Sequence, residues 1–382
     1  MEAGHQRGEA VIETFSLSPS FTHAELDAML TSAYRQGVSD ITIQSGDQVW
    51  VELHGRIRPL TQRFLHDSEV KMAITYMYGN NAIGVLSGGH AIDKRYEINV
   101  DRKTKIGFRL NATPSRVGDI LDGVSITMRT LPSLPPKIEE LDLPAPILES
   151  IFPMNGAVFI VGRTGDGKST TLASVIRKML EDGEDRKIIS YELPIEFTYT
   201  GLKTKCPMPS QVEIGPHLAS FTDGMRNAMR RKPSVILLTE ARDADTMDAL
   251  IEASLTGHAT YSTIHAESVA ETIMRIIHLF PYEAQSAAAS KILGCLRLVI
   301  AQKLVKSLDG RRVALREWLA FDAGVKERLE AERFERWPGI VRKEVMDRGQ
   351  GMEHAARAAF DAGRIDERTY LDAAGLKGGF IS

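Results

Sequence analysis

The chain has 382 residues, enough for two or three domains and a substantial core. Lys and Arg number 47 against 50 Asp and Glu, so the net charge of −3 supplies no global basic field of the kind that grips nucleic acid, and no direct nucleic-acid binding is expected. Two cysteines, Cys206 and Cys295, cannot build a disulfide framework and lack a metal-ligand spacing; no apolar run approaches the roughly 18–20 residues that cross a bilayer, and the opening segment has no signal-peptide core. Buried cysteines in a reducing, cytosolic protein are expected, with any membrane association peripheral.

In chain order, residues 1–20 are polar and aperiodic and predict a mobile tail. THAELDAMLTSAYRQG predicts a helix capped by Thr22 or Ser20. Glu25 stands at capping-box spacing from Thr22, and Leu26, Met29, Leu30 and Ala33 form one apolar face. The segments SDITIQ, QVWVELHGRIRPL, KRYEINV and KIGFRLNAT alternate as antiparallel strands do, with the helical DSEVKMAITYMYG among them. ITMRTLPSLPPKIEELDLPAP holds five prolines and reads as an interdomain linker. After Pro146 the pattern changes. The apolar runs GAVFIVG, KIISYE, SVILLTEA and ATYSTIH alternate with STTLASVIRKMLEDG, LASFTDGMRNAMRR, ADTMDALIEASLTGH and VAETIMRIIHLFP, which predicts a parallel sheet covered by helices. Beyond residue 320 the chain turns helical and charged. The expected domains are a tail over 1–20, an N-terminal domain over 21–130, a linker over 131–146, an α/β domain over 147–320 and a helical region over 321–382.

One stretch carries the chemistry. Gly162, Arg163, Thr164, Gly165, Asp166, Gly167, Lys168 and Ser169 complete the pattern G-x-x-x-x-G-K-[ST], after a strand and opening a helix, with Thr170 next. Such a loop points backbone N–H groups at phosphate oxygens, and the helix adds its positive end. Lys168 is placed to reach the β- and γ-phosphates, and the Ser169 hydroxyl to help hold Mg²⁺. Asp166 is unexpected beside a polyanion. Its side chain is expected to turn away from the phosphates, toward solvent or a basic group such as Arg163 or a neighbouring subunit's arginine. Glu240, at the end of SVILLTE, is placed to orient attacking water or hold the metal, or merely to pair with Arg242. Glu192 and Glu196 end another strand, where they suit Mg²⁺ or surface salt bridges. His258 and His265 flank ATYSTI, in structural or catalytic positions.

These motifs in order, with QVEIG and IIHLFP, resemble the type II/type IV secretion ATPases, the motors of pilus assembly and retraction and of type II and type IV secretion. The segment SDITIQSGDQVWVELHGRIRPL is similar to the Dot/Icm-type and IncI-type conjugative (type IVB) ATPases. The resemblance spans about residues 22–375. It implies a PAS-like α/β N-terminal domain, a RecA-like P-loop domain with a parallel sheet and a helical C-terminal extension, and a homohexamer that binds ATP and Mg²⁺. It implies inner-membrane secretion or conjugation components as partners, and a cytoplasmic position at that membrane. By matched motif it makes Lys168 and Ser169 the Walker A pair, Glu192 and Glu196 the acidic box, Glu240 the Walker B glutamate, and His258 and His265 the histidine box. Arg109, Arg116 and Arg129 are implied to approach the γ-phosphate, and Ser169, Glu192 and Glu240 to serve the metal. The acidic box here reads Glu192-Leu193-Pro194, one carboxylate fewer than relatives carry, and Asp166 stands where they carry serine.

Overall fold

The computed structural model describes residues 12–53, 55–101, 105–132, 134–183 and 185–376. The chain divides into two compact units: unit 1 runs to Leu134 and takes in Leu193–Gly201, and unit 2 holds Pro135–Glu192 and everything after Gly201.

Unit 1 contains α1 (His23–Arg35), β1 (Asp40–Gln44), β2 (Trp50–Leu53), β3 (Arg56–Pro59), α2 (Asp67–Tyr78), α3 (Ala82–Ser87), β4 (Ile92–Asn99), β5 (Lys105–Val117) and β6 (Ile120–Leu131). Its sheet has the order β3-β2-β1-β6-β5-β4, antiparallel throughout. Side chains on a strand alternate between faces. Ile41, Ile43, Ile126, Met128, Phe108 and Leu110 therefore point to one face, where they bury with Leu26, Met29, Leu30 and Ile74 of α1 and α2. The alternate residues populate the other face. Thr22 caps α1 by accepting from the Glu25 N–H. The reciprocal arm of the expected box goes elsewhere, because the Glu25 carboxylate accepts from the Ser18 N–H and hydroxyl.

Three expectations change here. Residues 1–11 of the expected tail lie outside the described residues, but Ile12, Phe15 and Leu17 pack on the core and Phe15 bonds Leu60 through its backbone. The segment ITMRTL, read as the start of the linker, is the last half of β6 and pairs with both β1 and β5. The proline-rich remainder does not stay extended. Ile138–Leu141 forms a 3₁₀ turn with Ile138 buried. Arg177 and Lys178 hold it, donating to the Pro135 carbonyl and to Glu139.

Unit 2 contains α4 (Ala145–Ser150), β7 (Gly156–Val161), α5 (Lys168–Asp182), β8 (Ile188–Glu192), β9 (Ser210–Glu213), α6 (Phe221–Ala228), β10 (Val235–Leu238), α7 (Ala244–Leu255), β11 (Ala259–Ile264), α8 (Val269–Ile277), α9 (Gln285–Cys295), β12 (Leu296–Lys306), β13 (Arg312–Ala320), and α10 (Ala323–Glu330), α11 (Trp337–Asp347), α12 (Met352–Asp361) and α13 (Glu367–Ala373). The sheet order is β13-β12-β7-β11-β10-β8-β9. It is parallel except at β13, which returns antiparallel to β12. β7, β8, β10 and β11 are buried at every position, as strands covered on both faces must be. Helices α10 and α11 are part of this core through Val325, Leu329, Trp337 and Val341. Cys206 and Cys295 are buried and form no disulfide, and burial pushes the Cys295 thiol up to about 11.

Candidate active site

The sheet order puts the phosphate loop at the carboxyl end of β7, with β11 beside it and β10 one strand further. Open parallel sheets bind ligands at that end. Gly162 has φ 153° and Gly167 φ 78°, and neither tolerates a side chain. A Cβ on Gly162 would lie 2.4 Å from the Gln302 carbonyl, and one on Gly167 3.1 Å from the Gln302 amide nitrogen. The glycines thus let the loop lie flat against β12, which runs past the end of β7. Lys168 opens α5, is 8% exposed, and donates from Nζ to the carbonyls of Gly162 (3.0 Å) and Arg163 (2.8 Å). The ammonium therefore lies under the loop, with the half-buried Ser169 and Thr170 in the same first turn.

Asp166 does not pair with the Arg163 guanidinium. Its carboxylate accepts from the backbone N–H of Arg163 (2.7 Å) and of Leu304 on β12 (3.1 Å). The Arg163 guanidinium pairs instead with Glu267 at 2.6 Å. A serine has one short oxygen and cannot span both amides, so the aspartate is a clamp between loop and strand.

Glu240 stands just past β10 and His265 just past β11. His265 Nε2 is 3.4 Å from one Glu240 oxygen, and Arg242 is 2.6 Å from the other. The two readings of Glu240 are thus compatible: it faces the histidine and holds Arg242. That arginine is 71% exposed, so the pair is weak and readily exchanged. His258 lies at the opposite end of β11, seven residues or roughly 23 Å from His265, with Nδ1 3.0 Å from the Ala253 carbonyl. Within one chain it is not brought to the phosphate loop.

Glu192 ends β8, three strands or about 14 Å across the sheet from β7. It is 6% exposed and accepts from the Ser190 hydroxyl and from Gln211. Ser169 follows β7, Glu240 follows β10 and Glu192 ends β8, so the expected trio comes from three different strands. Among the described residues, no group of three or more His, Cys, Asp or Glu could hold a metal ion. Mg²⁺ that travels with a triphosphate needs little more than a hydroxyl and phosphate oxygens, and Ser169 beside Lys168 fits that demand.

Glu196 lies in the stretch assigned to unit 1. There Arg109 approaches it at 3.8 Å and Asp93 at 3.6 Å. Register explains the setting: Asp40 pairs with Arg129, Arg129 with Arg109, and Arg109 with Arg95 across four strands. This is a row of three guanidiniums on the face opposite the core. Arg129 is 67% exposed and bonded to Asp40 at 2.9 Å. Arg116 is not in the row. It sits seven residues along β5, roughly 23 Å away, with its guanidinium on the Gly118 carbonyl. Sequence reading missed Arg95, which donates to the Ile195 and Glu196 carbonyls; its signal was alternation in KRYEINV, two strands from Arg129.

A glycine loop between strand and helix, an acidic strand end two strands away and an intervening strand define a RecA-like P-loop ATPase domain, joined to an antiparallel α/β domain. The family model for type II/IV secretion system protein matches residues 18–355, and the chain belongs to that family of secretion and pilus ATPases. Among solved structures, the Legionella pneumophila ATPase DotB is 42% identical, with TM-score 0.88 over 96% of this chain and all of that one. The pilus retraction motor PilT with bound ADP is 26% identical, with TM-score 0.80 over 91% of this chain and 96% of that one. The type IV pilus retraction ATPase PilT of Pseudomonas aeruginosa is 28% identical over 81% of this chain and 86% of that protein. Among the described residues, no helix is long and apolar enough to cross a membrane.

Proposed function

We propose that this chain hydrolyses ATP and, as a cytoplasmic homohexamer at the inner membrane, converts that reaction into movement of its two units to drive a type IVB secretion or conjugation apparatus. The observation that carries the reading is the phosphate loop: three glycines at positive φ and a buried lysine ammonium held beneath them. In this reading the loop amides and Lys168 hold the phosphates, and Glu240, released from Arg242, orients the attacking water. Mg²⁺, held through Ser169, supplies charge neutralisation on the phosphate oxygens. Arg109 and Arg129 recognise the terminal phosphate. The Arg109 contacts are long and the Arg129 side chain is exposed, so both pairs cost little to leave. Glu192 and Glu196 serve as positioning groups, and His265 steadies Glu240. His258 and Arg116 enter the scheme only by family resemblance. The likeness to DotB over nearly the whole chain favours the secretion branch over a retraction motor.

A second reading has a specific support. The Glu240–Arg242 pair holds the water-orienting carboxylate, as suits a nucleotide-operated scaffold that hydrolyses little. Phosphate release decides between them. Wild-type protein with MgATP should turn over, slowly, and Lys168→Ala should release none above background. Equal rates for the two would sink the ATPase reading, and tight ATP binding without release from wild type would favour the scaffold.

A further inference from the structure

β12 is eleven residues long and pairs with β7 only as far as Ala301, opposite Val161. Its continuation backs the phosphate loop. Gln302, the first residue beyond the pairing, is 4% exposed, and both ends of its amide are engaged. Nε2 donates to the Asp166 carbonyl at 2.5 Å. Oε1 accepts from Arg316 Nε at 2.9 Å and from the Thr171 hydroxyl at 3.1 Å. The amide's orientation follows from chemistry alone, because a guanidinium only donates and a carbonyl only accepts. Arg316, on the neighbouring β13, is 6% exposed, and burial draws its pKa down to about 10. Its Nη1 reaches the Asp142 carbonyl at 3.3 Å, and the Asp142 carboxylate pairs with Arg364 at 2.8 Å. A line of polar contacts, buried at Gln302 and Arg316, thus runs from the loop at Asp166 to Asp142.

We propose that Gln302, braced by Arg316, is a positioning residue for nucleotide binding, holding the Asp166 peptide so that the loop's amides face the phosphates. The proposal rests on the ATP-binding reading above. Its logic is that the loop cannot hold itself. Its glycines are conformationally free, and an array of N–H groups pointing at one anion must be fixed before the anion arrives. Two props reach it from β12: Leu304 through the Asp166 carboxylate, and Gln302 through the Asp166 carbonyl. Only an amide serves at 302, because the position needs a donor on one side and an acceptor on the other. A carboxylate would satisfy Arg316 and Thr171 but face the Asp166 carbonyl with no proton to give.

That asymmetry makes the test. In the full-length protein, Gln302→Glu keeps the brace to Arg316 and loses the contact to the loop. The expected result is a melting temperature, without nucleotide, within a few degrees of wild type, and affinity for a fluorescent ADP analogue about tenfold weaker. The double variant Gln302→Met/Arg316→Met replaces the buried polar pair by apolar side chains of similar bulk and is expected to lose affinity to the same degree. If Gln302→Glu fails to fold, the double variant carries the test. Affinity within twofold of wild type in a folded variant overturns the strut and leaves the ATPase reading standing. A wild-type protein that binds no analogue overturns both.

Discussion

The phosphate loop of unit 2 and the arginine row of unit 1 are both arrays of donors suited to phosphate, yet they are built in opposite ways. The loop is braced from behind: Asp166, Gln302, Thr171 and Lys168 spend polar atoms on fixing backbone. The row is nearly unbraced at its working end. Arg109 is 42% and Arg129 67% exposed, and the carboxylates near Arg109 are beyond ordinary hydrogen-bond length. A braced array binds with little reorganisation, whereas a loose one exchanges partners cheaply. The difference suits a resident nucleotide site in one unit and a sensor that engages and releases in the other.

The largest effect expected is at Glu240. Glu240→Gln keeps shape and loses the charge proposed to orient water, so phosphate release should fall by two orders of magnitude or more while nucleotide affinity stays within a fewfold. A fall in affinity matching the fall in rate would place Glu240 among the binding groups. Arg109→Ala and Arg129→Ala should each lower turnover about tenfold with ADP affinity unchanged, since a terminal-phosphate sensor has nothing to read in ADP. Arg116→Ala, outside the row, should change neither. If Arg116→Ala lowers the rate as much as its neighbours do, the register argument for the row is wrong.

Much of this contrast was legible in the sequence, and what escaped has physical causes. The loop announces itself because eight consecutive positions obey one constraint between a strand and a helix. The row was visible only as separate arginines, because cross-strand register is not local information; Arg129 meets Arg109 through a hairpin twenty residues long. The hairpin of β12 and β13 was not read as strands at all. Gln302 and Arg316 look like surface residues in LRLVIAQKLVK and RVALREWLA, yet both are buried because they satisfy each other and the loop. Buried polar pairs hide strands from any reading based on apolar pattern. The prolines near residue 135 misled differently: they marked a boundary correctly, while the buried Ile138 that folds the next turn was overlooked.

The clamp at Asp166 sharpens the comparison from the braced side. Asp166→Ser leaves the Arg163 and Leu304 amides without their carboxylate, a loss of about 1–3 kcal/mol if neither finds water. Hydrogen exchange at those two amides should quicken at least tenfold, with the rest of β12 protected as before. Unchanged exchange at both would show that the carboxylate is no clamp.

The smallest effect tests the loose side. Unit 1 has its own braced carboxylate, but far from the row and serving only the fold. Glu69, in the first turn of α2, accepts from the His66 N–H at 2.8 Å and takes both Arg63 nitrogens at 2.9 Å. Burial raises its pKa, but the Arg63 and His66 hydrogen bonds outweigh burial and hold it below the usual carboxylate value. A carboxylate lowered on folding contributes stability that is complete above its unfolded pKa and is lost as pH falls through its folded one. Amide exchange in the first turn of α2 should therefore quicken in Glu69→Gln at pH 7, by a factor corresponding to about 1 kcal/mol. The difference from wild type should shrink as the pH drops below about 4. Turnover should stay at the wild-type level throughout the range where the protein is folded. A Glu69→Gln variant that slowed phosphate release as Arg109→Ala does would mean that the row depends on distant bracing, and the contrast between the two arrays would fail.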